Sequence, residues 1–222
     1  MPRPTAVGVP TDVVIRVTFN DYPDPDTVRS NSLLLTTGYF WVPGTYGVDL
    51  IGKAAVVRPI SWLSPDLGYG LHLRPALSSL AGCPGTSEEI EFITGYGPAS
   101  EPVPAPTPFA EVQAIFEARC AGGCHLAEDG GGGCADDPAG DLSLCAADSW
   151  NSLVQAKSHQ TDALLLVQPG DSARSYLLRK LLPTADGGRL PGVAGHRDPP
   201  GDPLSEPQLR LIAAWIDAGA RR

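Results

Sequence analysis

No stretch of this chain carries the ~18 consecutive apolar residues of a membrane-spanning helix, so no transmembrane segment is expected. Positive charge is scarce: 16 Lys and Arg face 25 Asp and Glu, giving a formal net charge of −9. An acidic chain repels phosphate backbones, so nucleic acid is not an expected partner. Methionine is almost missing, with Met1 the only one. A Gly-rich phosphate loop, a G-x-S-x-G elbow and an H-E-x-x-H helix are all lacking, and no enzymatic activity is expected on that ground. The opening Met1-Pro2-Arg3-Pro4 has no apolar core of a secretory signal. The cysteine chemistry below still leads us to expect an exported protein, in the periplasm or at the cell surface, whose signal is not in this sequence.

What is present divides near residue 98. Of the 222 residues, 25 are Gly and 23 Pro, yet 42% are hydrophobic, which is the composition of a folded, loop-rich chain. The segment 98–108 carries five prolines in eleven positions and reads as an extended, semi-rigid linker. We expect three parts: a β-sandwich domain at 1–97, the linker at 98–108, and a helical domain at 109–222. Both sides are acidic, −3 for residues 1–100 and −6 for 101–222.

In the first part, Val13, Ile15, Val17 and Phe19 alternate with Val14, Arg16 and Thr18, the period of a strand. Further short apolar stretches at 33–35, 39–42, 54–57, 69–73 and 90–93 are separated by Gly and Pro, as in a β-sandwich. The run Val9-Pro10 to Phe19, then Arg58-Pro59 to Pro65, Gly68-Tyr69, Leu80-Ala81-Gly82 and Glu91-Phe92-Ile93-Thr94, resembles bacterial Ig-like domains of the SbsA type. The resemblance covers roughly residues 3–95. It implies a spacer or presentation module outside the cytoplasm and not a catalyst.

The second part reads as helices. Thr107 is a candidate N-cap with Pro108 at the first helical position, and Phe109, Val112, Ile115 and Phe116 share one face. A helix over 172–182 is stopped by Pro183. Ser205-Glu-Pro-Gln208 is a capping box, Leu204 is placed to staple onto Leu209, and Leu209, Ile212, Trp215 and Ile216 form a stripe that ends at Gly219. Between these helices, residues 128–148 hold six carboxylates and no Lys or Arg.

The chemistry centres on Cys120-Ala-Gly-Gly-Cys124-His125. Covalent haem attachment uses C-x-x-C-H, in which two thiols add to the haem vinyl groups and the histidine binds iron. Here one extra residue separates the cysteines, and the small Ala-Gly-Gly insert can bulge without steric cost. Phe116, four residues before Cys120, the run 211–216 with Trp215, and the run from Val167 to Leu177 together make residues 107–220 resemble cytochrome c domains. That resemblance implies an all-α C-terminal fold and one covalent haem c. Cys120 and Cys124 would form the thioethers, and His125 would be the proximal ligand. Phe116, Tyr176, Leu177, Leu190, Ile212 and Trp215 would wall the pocket. It further implies electron transfer to a protein redox partner. No signal for lipid or surface anchoring is visible.

The family's second ligand is often methionine, which this composition excludes; Leu190 stands where it would be. His196, in the nearby Gly-Pro-rich loop, is the favoured replacement, followed by His159 and an open sixth position. Cys134 and Cys145 are expected to form a disulfide, the default in an exported protein. Three rivals stand beside the cytochrome. One is a zinc site from Cys120, Cys124, His125 and Cys134 or Cys145. Another is calcium in the acidic loop. The third is a haem-free surface, adhesion or structural protein, with Cys120–Cys124 and Cys134–Cys145 as two disulfides in a degenerate cytochrome-like domain.

Overall fold

The computed structural model describes residues 6–99, 105–120, 124–126, 134–161, 163–184 and 189–222. The chain divides into two compact units, Met1–Val103 and Pro104–Arg222. Part of the proline-rich segment, 100–104, lies outside the described residues.

The first unit is all-β. Its strands are β1 (Ala6–Val9), β2 (Ile15–Thr18), β3 (Leu33–Thr37), β4 (Phe40–Trp41), β5 (Gly44–Asp49), β6 (Ala54–Pro59), β7 (Gly68–Leu73) and β8 (Glu88–Thr94). One sheet runs β1-β8-β7-β3-β4 and the other β2-β6-β5. The β1–β8 pair is parallel, and the other pairs are antiparallel. Period-2 alternation sets which side chains go inside. Leu33 and Leu35 sit opposite Leu73 and Leu71, and Tyr69 sits opposite Phe92. These residues bury themselves in one cluster with Val17, Ala55 and Val57 of the second sheet. The Tyr69 and Phe92 rings stack at 5.5 Å. This is an Ig-like β-sandwich, with one core between two sheets.

The second unit is a mixture of short helices and loops. Its helices are α1 (Phe109–Arg119), α2 (Ser149–Leu153), α3 (Tyr176–Leu181) and α4 (Glu206–Asp217). Single 3₁₀ turns lie at Ala139–Asp141 and Ser172–Arg174, and two isolated bridges join Val154 to Val167 and Lys157 to Leu165. The expected all-α domain is thus corrected to a unit with few helices. Its many Gly and Pro residues keep the segments between helices irregular.

Two helix boundaries also differ from expectation. Pro108 itself is the extended residue before α1, so Thr107 is not the cap. The helix expected over 172–182 breaks at the extended, buried Ser175. Its hydroxyl accepts from the Gln168 N–H and donates to the Asp171 carbonyl, both at 2.9 Å, and these local bonds compete with helix formation.

Helix α4 starts as read. The Ser205 N–H donates to Gln208 Oε1 at 2.9 Å, and Leu209, Ile212, Trp215 and Ile216 are buried. Gly219, at φ +96°, provides the left-handed turn that ends it. Trp215 anchors α4 to α1 through Phe109, with ring centroids 5.0 Å apart, and its Nε1–H donates to the Arg221 carbonyl at 2.7 Å.

Candidate cofactor site

Helix α1 delivers Cys120 at its end, where the Cys120 N–H donates to the Phe116 carbonyl at 2.8 Å. Residues 121–123 of the motif lie outside the described residues. The chain re-enters at Cys124-His125-Leu126, which is strapped to the segment 139–144. The Ala139 N–H donates to the Cys124 carbonyl at 2.6 Å, and the Leu144 N–H donates to the His125 carbonyl at 3.0 Å. Gly140, at φ +64°, makes the turn that this strap requires. Leu126 and Leu144 are buried beneath it. Gln113 of α1 fastens the strap from below: its Nε2 donates to the Leu144 carbonyl at 3.0 Å, and its Oε1 accepts from Ser149 Oγ at 2.6 Å. A disulfide joins Cys134 to Cys145, with Cα atoms 4.9 Å apart.

His125 is half-buried, and its Nδ1 lies 2.9 Å from the Leu142 carbonyl oxygen. That contact makes Nδ1 the donor and leaves Nε2 as the nitrogen with a free lone pair. His125 and Cys120 line a small open cleft of about 80 Å³ whose apolar walls are Leu142, Leu144, Leu166, Leu177 and Leu181. Tyr176, Lys180, Asp198 and His159 add polar groups. Tyr176 Oη donates to Gln160 Oε1 at 2.7 Å and accepts from the Ala194 N–H at 3.1 Å. Lys180 Nζ donates to the Ala194 carbonyl at 2.7 Å and lies 3.6 Å from Asp198 Oδ2. Burial pushes the Cys120 thiol up to about 11, the Asp198 and Cys124 charges add to the rise, and Arg119 opposes it. Burial likewise raises the Tyr176 hydroxyl, and the bond from Ala194 opposes it.

Comparison with known proteins bears on the first unit. Residues 1–94 match the bacterial Ig-like domain family. Solved structures similar to part of the chain include the S-layer protein rSbsC(31-844), at 21% identity over 46% of this chain and 14% of that one, with a TM-score of 0.34. The N-terminal part of the bacterial S-layer protein SbsC is similar at 20% identity over 46% of this chain and 24% of that one, TM-score 0.35. The copper resistance protein PcoC from Escherichia coli is similar at 19% identity over 40% of this chain and 88% of that one, TM-score 0.32. This chain therefore spans only a small part of the S-layer proteins. No curated protein matches the sequence. None of these comparisons supports the cytochrome c resemblance of residues 107–220, which remains a reading of the residues themselves.

Of the residues expected at the site, Cys120, His125, Tyr176 and Leu177 line the cleft. Cys124 is exposed beside His125. Phe116, Leu190, Ile212 and Trp215 are almost fully buried but do not line the cleft. They belong to the hydrophobic core, and the ring that meets Trp215 is Phe109 rather than Phe116. His196 is exposed and off the cleft, because the Tyr176 and Lys180 bonds hold the neighbouring Ala194 backbone. His159, ranked second in the sequence, is on the cleft wall. Lys180 and Asp198 were missed, since the sequence reading of α3 followed only its apolar positions.

The expected Cys134–Cys145 disulfide is present, and Cys120, Cys124 and Cys83 are free thiols. The disulfide removes Cys134 and Cys145 as thiolates, which takes the fourth ligand from the zinc set. Among the described residues, the one cluster of three ligand-type side chains is Cys134, Cys145 and Asp148, two of which are joined to each other. Glu128 and Asp129 of the acidic loop lie outside the described residues. The cleft as it stands has no room for a haem macrocycle, and Cys124 does not line it; only the donor chemistry of the motif is in keeping with such a group. A histidine that gives one ring N–H to a backbone carbonyl is the usual state of a metal-ligating histidine. Cys120 and Cys124 are free thiols, and the cleft walls are largely apolar.

Proposed function

We propose that this is an exported protein, at the cell surface or in the periplasm, in which the Ig-like sandwich presents the C-terminal unit outside the cytoplasm. The match of residues 1–94 to the bacterial Ig-like family carries this reading. The Cys134–Cys145 disulfide supports it, because disulfides persist in oxidising compartments. Cell fractionation with surface proteolysis tests it: the protein is expected outside the cytoplasm, and a purely cytoplasmic location would contradict the reading.

A more specific reading rests on the Cys120–His125 motif alone, that of an electron carrier with one covalently attached haem c. Cys120 and Cys124 would hold the group, and His125 Nε2 would face its iron, oriented through the Nδ1 contact with Leu142. When bound, haem supplies a one-electron redox couple. The chain's own residues set the environment of that couple. Leu142, Leu144, Leu166, Leu177 and Leu181 would give the group apolar neighbours, and low polarity disfavours the extra positive charge of the oxidised state. Lys180 and Asp198 neutralise each other at the cleft and so limit the net charge there. The haem-free surface protein is the form that the family match of residues 1–94 supports better. Haem staining of denatured protein made in a host with cytochrome c maturation machinery separates the two: a stained band is expected, and an unstained band favours the haem-free form.

A further inference from the structure

We propose that the outer face of the larger sheet of the sandwich binds a basic side chain, lysine or arginine, of a partner protein. A trough of about 410 Å³ in that face carries the proposal; it lies along β7, between β3 and β8. Glycine makes the trough. Tyr69, Leu71 and Leu73 of β7 turn into the core, so Gly68, Gly70 and His72 are the outward positions. Gly70 sits between Thr36 of β3 and Glu91 of β8, and His72 sits between Leu34 and Glu89. Two missing side chains in one strand leave a floor of bare backbone. Glycine inside a strand weakens it, and it marks places where a ligand or another chain comes close.

Polar atoms from three strands converge over Gly70. The point where a Cβ would stand lies 3.3 Å from Glu89 Oε1, 3.3 Å from His72 Nε2 and 3.5 Å from Thr36 Oγ1. Thr36 Oγ1 is 2.9 Å from His72 Nε2, and His72 Nδ1 is 3.6 Å from Glu89 Oε1, so the imidazole links the carboxylate to β3. Glu91, exposed beside Gly70, adds a second carboxylate to the same wall. Among the described residues, no Lys or Arg lines the trough. Carboxylates over a bare floor complement a cation. At the other end Gly68 and the exposed Ile93 give apolar surface, which suits the methylene stem of lysine or arginine. Gly68 to His72 spans about 13 Å at ~3.3 Å per residue, room for one extended side chain. This site lies wholly in the sandwich and is independent of the haem reading.

The test uses the full chain and three probes, the N-acetyl amides of lysine, arginine and glutamine, followed through backbone amide NMR shifts. The lysine and arginine probes are expected to give saturable shifts at Gly68, Gly70 and His72, and the glutamine probe none. E89Q and E91Q are each expected to weaken binding about two- to fivefold, the range for exposed ion pairs. E111Q, in the second unit, is expected to bind as wild type does. G70V fills the floor and is expected to abolish the shifts; should it unfold, E89Q and E91Q still decide. Absence of shifts at these residues with both basic probes overturns the proposal. So do shifts spread over the acidic surface, or unchanged affinity in both E89Q and E91Q, which would show only attraction to the net charge of −9. Equal binding of the glutamine probe also overturns it, since charge would then not select the ligand.

Discussion

His125 Nδ1 sits 2.9 Å from the carbonyl oxygen of Leu142, seventeen residues further along the chain. The contact exists because Ala139 and Leu144 pin the returning segment to Cys124 and His125 on either side of it. It orients the imidazole, with Nδ1 as the donor to the carbonyl.

The Cys120 thiol gives the first prediction. Burial holds its pKa at about 11 against an ordinary 9.0, so folding favours the neutral thiol. Its contribution to stability is complete below pH 9.0 and is lost as pH rises through about 11. Alkylation follows the thiolate, so Cys120 is expected to react slowly near neutral pH and to accelerate up to about pH 11. D198N removes a nearby negative charge and is expected to speed the reaction at fixed pH. Mass-resolved alkylation of the haem-free protein checks both, and an equal rate in D198N would contradict the electrostatic cause.

The disulfide gives the second. Under non-reducing, denaturing conditions three thiols are expected to alkylate, Cys83, Cys120 and Cys124, and five after reduction. Replacing both Cys134 and Cys145 by serine is expected to lower stability by about 2–4 kcal/mol, because the loop they close regains freedom in the unfolded chain. Urea titration of the oxidised protein and the double variant measures the difference.

Gln113 gives the third. Its amide joins α1 to the Leu144 carbonyl and to the buried Ser149 hydroxyl. Q113A leaves both without that partner, and a loss of about 1–3 kcal/mol is expected in the same titration. A neutral effect would mean that the strap is not fastened from α1.

Trp215 gives the fourth. Only 1% of its surface is exposed, and it meets Phe109 while its indole N–H reaches Arg221. W215A is expected to cost about 3–5 kcal/mol, the usual loss for a fully buried large aromatic. The sandwich core around Leu33, Leu35 and Phe92 contains no residue of this unit and is expected to keep its own transition.

The sandwich was largely legible because alternation is a direct print of burial. Val13–Phe19, Leu33–Leu35 and Tyr69–Leu73 all fall on or around observed strands. Strand β5, Gly44–Asp49, escaped because its Gly, Thr and Asp residues weaken that signal. In the second unit α4 was legible from its capping box and apolar stripe, whereas the break at Ser175 depends on hydroxyl bonds that no periodicity records. The cluster of Cys120 and His125 was visible as spacing. The placement of His159 on the cleft and of His196 outside it was not, because both lie in loops. Tertiary bonds to Tyr176 and Lys180 decide their positions.

Intact mass of the denatured, full-length protein, made in a host that matures c-type cytochromes, tests the central claim most directly. We expect one added haem that survives denaturation, and its loss when Cys120 and Cys124 are both replaced by serine. An unmodified mass, with Cys120 and Cys124 still open to alkylation, would contradict the haem site and leave a surface protein with an empty apolar cleft.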